Sequence, residues 1–213
     1  MNIQEVYRDK NKYYLVMEYS EIGDMIDIIG KNELNELDKC KLIYQLINAI
    51  SLLHQYKITH CDIKPENCII FKVGNEYKLK LIDFGYSSSS LIYSRKGTMI
   101  YSSPESFEPE PIINHLTDLW SLGVTIYCLE TSRMAFYFME ETKYTKSKMI
   151  DNIKKSIYNK NYVKNKILLD LITKLLIVDK TKRIPAYEAL KHTYFDVLKI
   201  SERKKEIDKM CIL

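Results

Sequence analysis

His60-Cys61-Asp62-Ile63-Lys64-Pro65-Glu66-Asn67 sets an acid, an amine and an amide at fixed short spacing between two apolar runs, Lys57-Ile58-Thr59 and Cys68-Ile69-Ile70-Phe71. Pro65 fixes its own φ, disfavours helix at Lys64 and has no N–H, so a held turn between two short strands is predicted. In such a turn Asp62 can accept a proton from a hydroxyl and Lys64 can neutralise a phosphate, while the amide oxygen of Asn67 is a hard ligand suited to a divalent cation. The set suggests phosphoryl-transfer chemistry. Taken alone, these residues read equally as a polar turn with no chemistry.

A second stretch decides between the two. Leu79-Lys80-Leu81-Ile82 alternates towards Asp83-Phe84-Gly85, which puts a carboxylate at the end of a predicted strand, then an aromatic plug and a glycine able to take φ > 0. Such a carboxylate is a natural magnesium ligand. Together H-x-D-x-K-P-E-N and D-F-G resemble the catalytic loop and metal-binding motif of protein kinases. Gly97-Thr98-Met99-Ile100-Tyr101-Ser102-Ser103-Pro104-Glu105 likewise resembles the kinase segment G-T-x-x-Y-x-A-P-E, with Ser103 in place of Ala.

The resemblance implies an α+β, protein kinase-like fold of the serine/threonine type, transferring the γ-phosphate of ATP to protein Ser/Thr hydroxyls with Mg²⁺. It assigns Asp62 as base, Lys64 as phosphate neutraliser, and Asn67 and Asp83 as metal ligands. Thr98 would bridge Asp62 and Lys64, Asp118 would hold the backbone of the catalytic loop, and Glu105 would pair with Arg183 to anchor the substrate-facing loop. Small-molecule phosphotransferases with a related loop are disfavoured by Lys64 and by Pro104-Glu105. The nearest flavour is the calcium/calmodulin-dependent type, in Arg183-Ile184-Pro185-Ala186 and Ala189-Leu190-Lys191-His192, but no EF-hand loop is present to bind calcium directly.

Outward from these motifs, Met1 to Arg8 is predicted as a strand, Asp9 to Lys12 as a turn, and Tyr13 to Met17 as a buried strand. By resemblance, residues 1–20 are a remnant of the small lobe. Met17 is then the gatekeeper and Glu18-Tyr19-Ser20 the hinge whose backbone holds adenine, with Asp24 at the ribose and Ile69 lining the nucleotide. Asp24 reads equally as a helix N-cap. Residues 21–197 would form the helical lobe. Its predicted helices are Leu37 to Gln55, a buried one from Asp118 to Leu129 capped by Thr117 or Asp118, an amphipathic one around Ile167 to Leu176, and Ala186 to Phe195 with Pro185 in its first turn. Tyr86 to Lys96 is expected to be a mobile activation loop, Lys143 to Lys166 an exposed, solvated helix and loop, and 198–213 a charged helical tail.

Two departures from the family pattern carry expectations. The six glycines make no G-x-G-x-x-G and no V-A-x-K precedes the hinge, so an ATP site without its roof is expected, with impaired turnover or a catalytically silent binding module as the alternative. Cys61 stands where the family has Arg, so no clamp for an activation-loop phosphate is expected.

Composition bounds the rest. With 213 residues, 46% hydrophobic and 28% charged, the chain can bury one sizeable core. A net charge of +4 without a basic block interleaved with aromatics argues against nucleic acid as a partner. Five cysteines with no C-x-x-C pair argue for reduced thiols and against a zinc site, pointing to the cytoplasm with the nucleus also open. The longest uncharged run, Leu42 to Tyr56, is shorter than the roughly 18 residues needed to span a bilayer. Nothing in the sequence sets the oligomeric state.

Overall fold

The computed structural model describes residues 3–31, 33–137 and 144–200. The architecture is α+β, rich in helix, with two small two-stranded antiparallel sheets among the described residues.

The first sheet is the hairpin of β1 (Ile3–Arg8) and β2 (Tyr13–Met17), with Val6 opposite Leu15 and Tyr7 opposite Tyr14. Its turn is closed by Asp9, whose Oδ1 accepts from the N–H groups of Asn11 and Lys12 at 2.8 and 2.9 Å. The expectation that Tyr13 to Met17 is a buried strand is corrected here: every residue of β2 is exposed, Leu15 at 53%. A two-stranded ribbon has two faces, and no other described element covers either one.

The helices carry the core. Asp24 caps α1 (Met25–Lys31), its Oδ1 accepting from Ile26 N at 2.8 Å and Asp27 N at 3.1 Å. Asn35 caps α2 (Glu36–Gln55), which buries Ile43, Leu46, Ile47 and Ile50 along one stripe, each such side chain contributing about 1.5–3 kcal/mol. The second sheet pairs β3 (Cys68–Val73) with β4 (Glu76–Leu81). Gln45 of α2 acts as a surrogate strand partner for β4: its Nε2 donates to Tyr77 O at 3.0 Å and its Oε1 accepts from Leu79 N at 2.9 Å.

Helix α3 (His115–Thr131) runs through the centre, with Trp120 at 0% exposure. Gly123 lets the helix Lys166–Leu175 approach closely, since a Cβ there would sit 2.9 Å from the Leu175 Cβ. The residues are completed by α4 (Lys146–Lys154), α5 (Lys166–Leu175) and α6 (Ala186–Ala189).

Several local expectations change. Lys57 to Thr59 is a turn after α2 rather than a strand: Lys57 has φ +59°, and only Thr59 forms a bridge, to Ser88. The cap of α3 is Asn114, whose side chain accepts from Leu116 N at 2.9 Å, which leaves Thr117 and Asp118 inside the first turn. Helix α6 is a single turn and Pro185 is its N-cap. His192 adopts ψ 142° and its Nδ1 accepts from Tyr194 N, so the chain re-enters as a short 3-10 turn. Within the basic stretch, α4 buries Met149 and Ile153, and Tyr158 and Val163 are also buried, so only part of it is a solvated face. Residues 86–96 are tied down by two bridges, Ser88 to Thr59 and Ile92 to Ile113. Residues 196–200 are helical and Leu198 packs on the core; the rest of the predicted charged tail, 201–213, lies outside the described residues, as does Lys143. Among the described residues no helix is long and apolar enough to cross a membrane.

Candidate active site

The turn is anchored from beneath by α3. Asp118, 1% exposed, accepts from His60 N at 2.8 Å through Oδ2 and from Cys61 N at 2.9 Å through Oδ1. A buried carboxylate needs such donors. A third comes from α2, where His54 Nε2 lies 3.0 Å from Asp118 Oδ2. His54 was not legible as a site residue, because only the fold brings it to an acid so distant in the chain. The His60 ring is oriented by Nε2–H donating to Ile82 O at 3.0 Å, which leaves Nδ1 to accept from Asp62 N at 3.3 Å.

Asp62 is 5% exposed and collects donors on both oxygens. Oδ1 accepts from Thr98 N at 2.8 Å and from the Thr98 hydroxyl at 3.0 Å; Oδ2 receives the Lys64 ammonium at 2.8 Å and Asn67 Nδ2 at 3.2 Å. Lys64 Nζ also donates to Thr98 Oγ1 at 2.9 Å, closing an acid–amine–hydroxyl triangle. Burial pushes the Asp62 carboxyl up, but the Lys64 ammonium and the two Thr98 donors outweigh it and hold it below its ordinary value.

Asn67 sits at the end of a 3-10 turn, Pro65–Asn67, entered from Lys64 in an extended conformation. Its Nδ2 also donates to Asp62 O at 2.7 Å, so both amide hydrogens are directed at Asp62 and the amide presents its oxygen as the remaining acceptor. Asn67 O accepts from Ile82 N at 2.9 Å, which brings Asp83 beside Asn67. Asp83 adopts φ +64°, so the left-handed residue of D-F-G is the acid and not Gly85, as the sequence suggested. Phe84 is half exposed rather than plugged in, with its ring 4.9 Å from that of His60. An amide oxygen and a carboxylate are hard oxygen donors of the kind that suit a magnesium ion.

The four residues expected around a nucleotide line one strip. Glu18 pairs with Lys80 of β4 at 2.6 Å. Ser20 donates its hydroxyl to Ile70 O and accepts from Ile22 N and Gly23 N at 3.1 Å, folding the segment against β3. Asp24 forms a bridge with Ile69, and Ile70 N donates to Gly23 O at 2.9 Å.

The segment beginning at Gly97 meets the turn backbone to backbone. Gly97 has φ +76°, and a Cβ there would lie 2.2 Å from Cys61 O. Both the conformation and the space demand glycine. Gly97→Ala is expected to cost about 1–3 kcal/mol and to raise hydrogen exchange at the Thr98 amide; unchanged exchange there would refute the contact. Cys61 itself is left-handed at φ +69°, and burial, then the Asp118 charge, pushes its thiol up to about 12, so it is a poor nucleophile at neutral pH. Beyond the segment, Glu105 and Arg183 form a two-pronged ion pair with both N···O distances at 2.7 Å.

Residues 1–195 match the family described as protein kinase domain. Similar curated proteins include a calcium and calcium/calmodulin-dependent serine/threonine-protein kinase of Pisum sativum, 32% identical across 89% of this chain and 37% of that protein. The serine/threonine-protein kinase cds1 of Schizosaccharomyces pombe is 31% identical, with 94% and 45% covered. Human serine/threonine-protein kinase H1 is 29% identical, with 97% and 50% covered. The chain thus spans half or less of the length of these relatives.

Proposed function

Because the chain belongs to the serine/threonine protein kinase family, we propose that it serves transfer of the ATP γ-phosphoryl group to a serine or threonine hydroxyl of a protein substrate. The observation that carries this is the Asp62, Lys64 and Thr98 triangle, with Asn67 directed at the same carboxylate. In this reading Asp62 orients the acceptor hydroxyl and takes its proton as its oxygen bonds to the γ-phosphorus and the bond to the β-phosphate oxygen breaks, releasing ADP; Lys64 offsets charge on the transferred group. Thr98 donates its hydroxyl to the one and accepts from the other, which fixes their relative orientation. Asn67 and Asp83 would hold Mg²⁺, whose charge offsets that of the phosphates. Glu18 to Ser20, Asp24 and Ile69 would receive the nucleoside.

The chemistry calls for a protein substrate and ATP, not a nucleic acid or a membrane. Cys40, Cys61, Cys68 and Cys128 are free thiols, which supports a reducing compartment, the cytoplasm. A catalytically silent module is not favoured, since it would leave the assembled triangle without a use.

The test is transfer from γ-labelled ATP to a serine peptide, with Mg²⁺ titrated. Asp83→Asn is expected to raise the Mg²⁺ requirement and lower transfer about 10²-fold or more; equal Mg²⁺ dependence in both proteins would sink the assignment. The same assay addresses Cys61. No cationic side chain stands at that position to receive a loop phosphate, so a phosphate on Ser94 is expected to change the rate by less than about twofold in the parent, and clearly more in Cys61→Arg. A large effect in the parent would remove this idea.

A further inference from the structure

A cleft of about 390 Å³ lies between α2, β4 and the segment after α6, sharing no residue with the candidate active site. That volume falls within the range of about 300–1,000 Å³ typical of ligand sites. Its apolar surface comes from Tyr44, Tyr77, Leu190, Phe195 and Leu198. The wall is braced by contacts: Tyr44 stands edge-on to Phe195 with ring centres 5.3 Å apart, and Gln45 bonds the β4 backbone through both amide atoms.

The rim is cationic. Lys41 and Lys78 share one carboxylate, Glu76, at 3.2 and 3.3 Å, while Lys199 is held by Asp196 at 2.8 Å. Three lysines against two carboxylates, Glu76 and Asp196, leave one positive charge in excess around an apolar floor.

We propose that this cleft docks a partner peptide in which apolar side chains are flanked by acidic residues. The apolar side chains fill the floor between Tyr44 and Leu198, and the acids meet Lys78 and Lys199 at the rim. A basic peptide would be repelled, and an uncharged one would leave the rim unmatched.

The experiment is fluorescence anisotropy with the full 213-residue chain and a fluorescein-labelled peptide, Gly-Asp-Glu-Leu-Asp-Phe-Glu-Gly. The control is the same peptide with Lys at every acidic position. Saturable binding of the acidic peptide is expected, weakening as salt rises. The double variant Lys78→Glu/Lys199→Glu should weaken it about tenfold or more. Both side chains are more than half exposed, so these changes leave the fold intact, which thermal unfolding checks. Tyr44→Ala, which removes floor rather than charge, should abolish measurable binding of the acidic peptide. Equal binding of acidic and basic peptides, or no loss in either variant, overturns the proposal. Binding that emerges only once residues 201–213 are removed identifies the chain's own tail as occupant and also overturns it. Self-association that is lost in Tyr44→Ala does the same in favour of a second copy. Because the readout is binding, failure here is separable from failure of the phosphoryl-transfer reading.

Discussion

Asp62→Asn is expected to lower the rate of phosphoryl transfer to a serine peptide by about 10²–10⁴-fold while leaving Mg-ATP affinity nearly unchanged. Asn keeps the volume but replaces one acceptor oxygen by an NH₂ group. Whichever way the amide is turned, that NH₂ faces a donor: the Thr98 N–H and hydroxyl on one side, or the Lys64 ammonium and Asn67 Nδ2 on the other. The acceptor hydroxyl then loses the group that orients it and takes its proton. A rate within tenfold of the parent would mean that another group fills this role. The same contacts set a pH signature. The folded carboxyl lies below its ordinary value of 3.8, so its stabilising interactions are fully present above that value and are lost only as pH falls through the lower, folded one. Asp62 therefore stays ionised across neutral pH, and any rate limb between pH 6 and 8 belongs to another group. A carboxylate held below its ordinary value is a weak base, which favours a role in orientation first and in late proton acceptance second.

Arg183→Ala is expected to destabilise the fold by about 3–5 kcal/mol, measured by urea unfolding, a large share of the roughly 5–15 kcal/mol that holds a domain together. Arg183 is 3% exposed and ties three parts of the helical lobe together. Its guanidinium meets both Glu105 oxygens at 2.7 Å, Leu116 O at 2.7 Å, Ile177 O at 2.8 Å and Val178 O at 3.3 Å, and lies 5.2 Å from the Trp120 ring centre. Removing it strands a largely buried carboxylate and three carbonyls at once. Glu105→Ala should cost less, because the arginine keeps its carbonyl partners. The double variant should cost less than the sum of the singles, since each single strands the other's charge. A loss under about 1 kcal/mol for Arg183→Ala would show that water replaces these partners freely.

The turn around Pro65, the capping competence of Asp24 and the buried stripe of α2 were legible because each depends on neighbours within a few residues. The same locality explains the misses. Thr117 and Asp118 are good capping types, yet Asn114 stands one residue before the helix and took the cap. Lys57 to Thr59 has strand-like residues, but the left-handed turn that ends α2 leaves only one of them free to pair. The exposure of β2 could not be read at all, because a run of aromatic and apolar residues says that its faces can be covered and not that something covers them.

The sequence by itself determined the family and the identity of the polar groups in the candidate site, since short motifs carry residue type and spacing directly. Only the tertiary structure decided how those groups are held. Asp118, His54 and Gly97 act on the turn from elements far away in the chain, through a shared carboxylate and a backbone contact with no room for a Cβ. The cleft bounded by Lys41, Lys78 and Lys199 was invisible for the same reason: charge excess at a rim is a property of three segments brought together, and no one of them holds it alone.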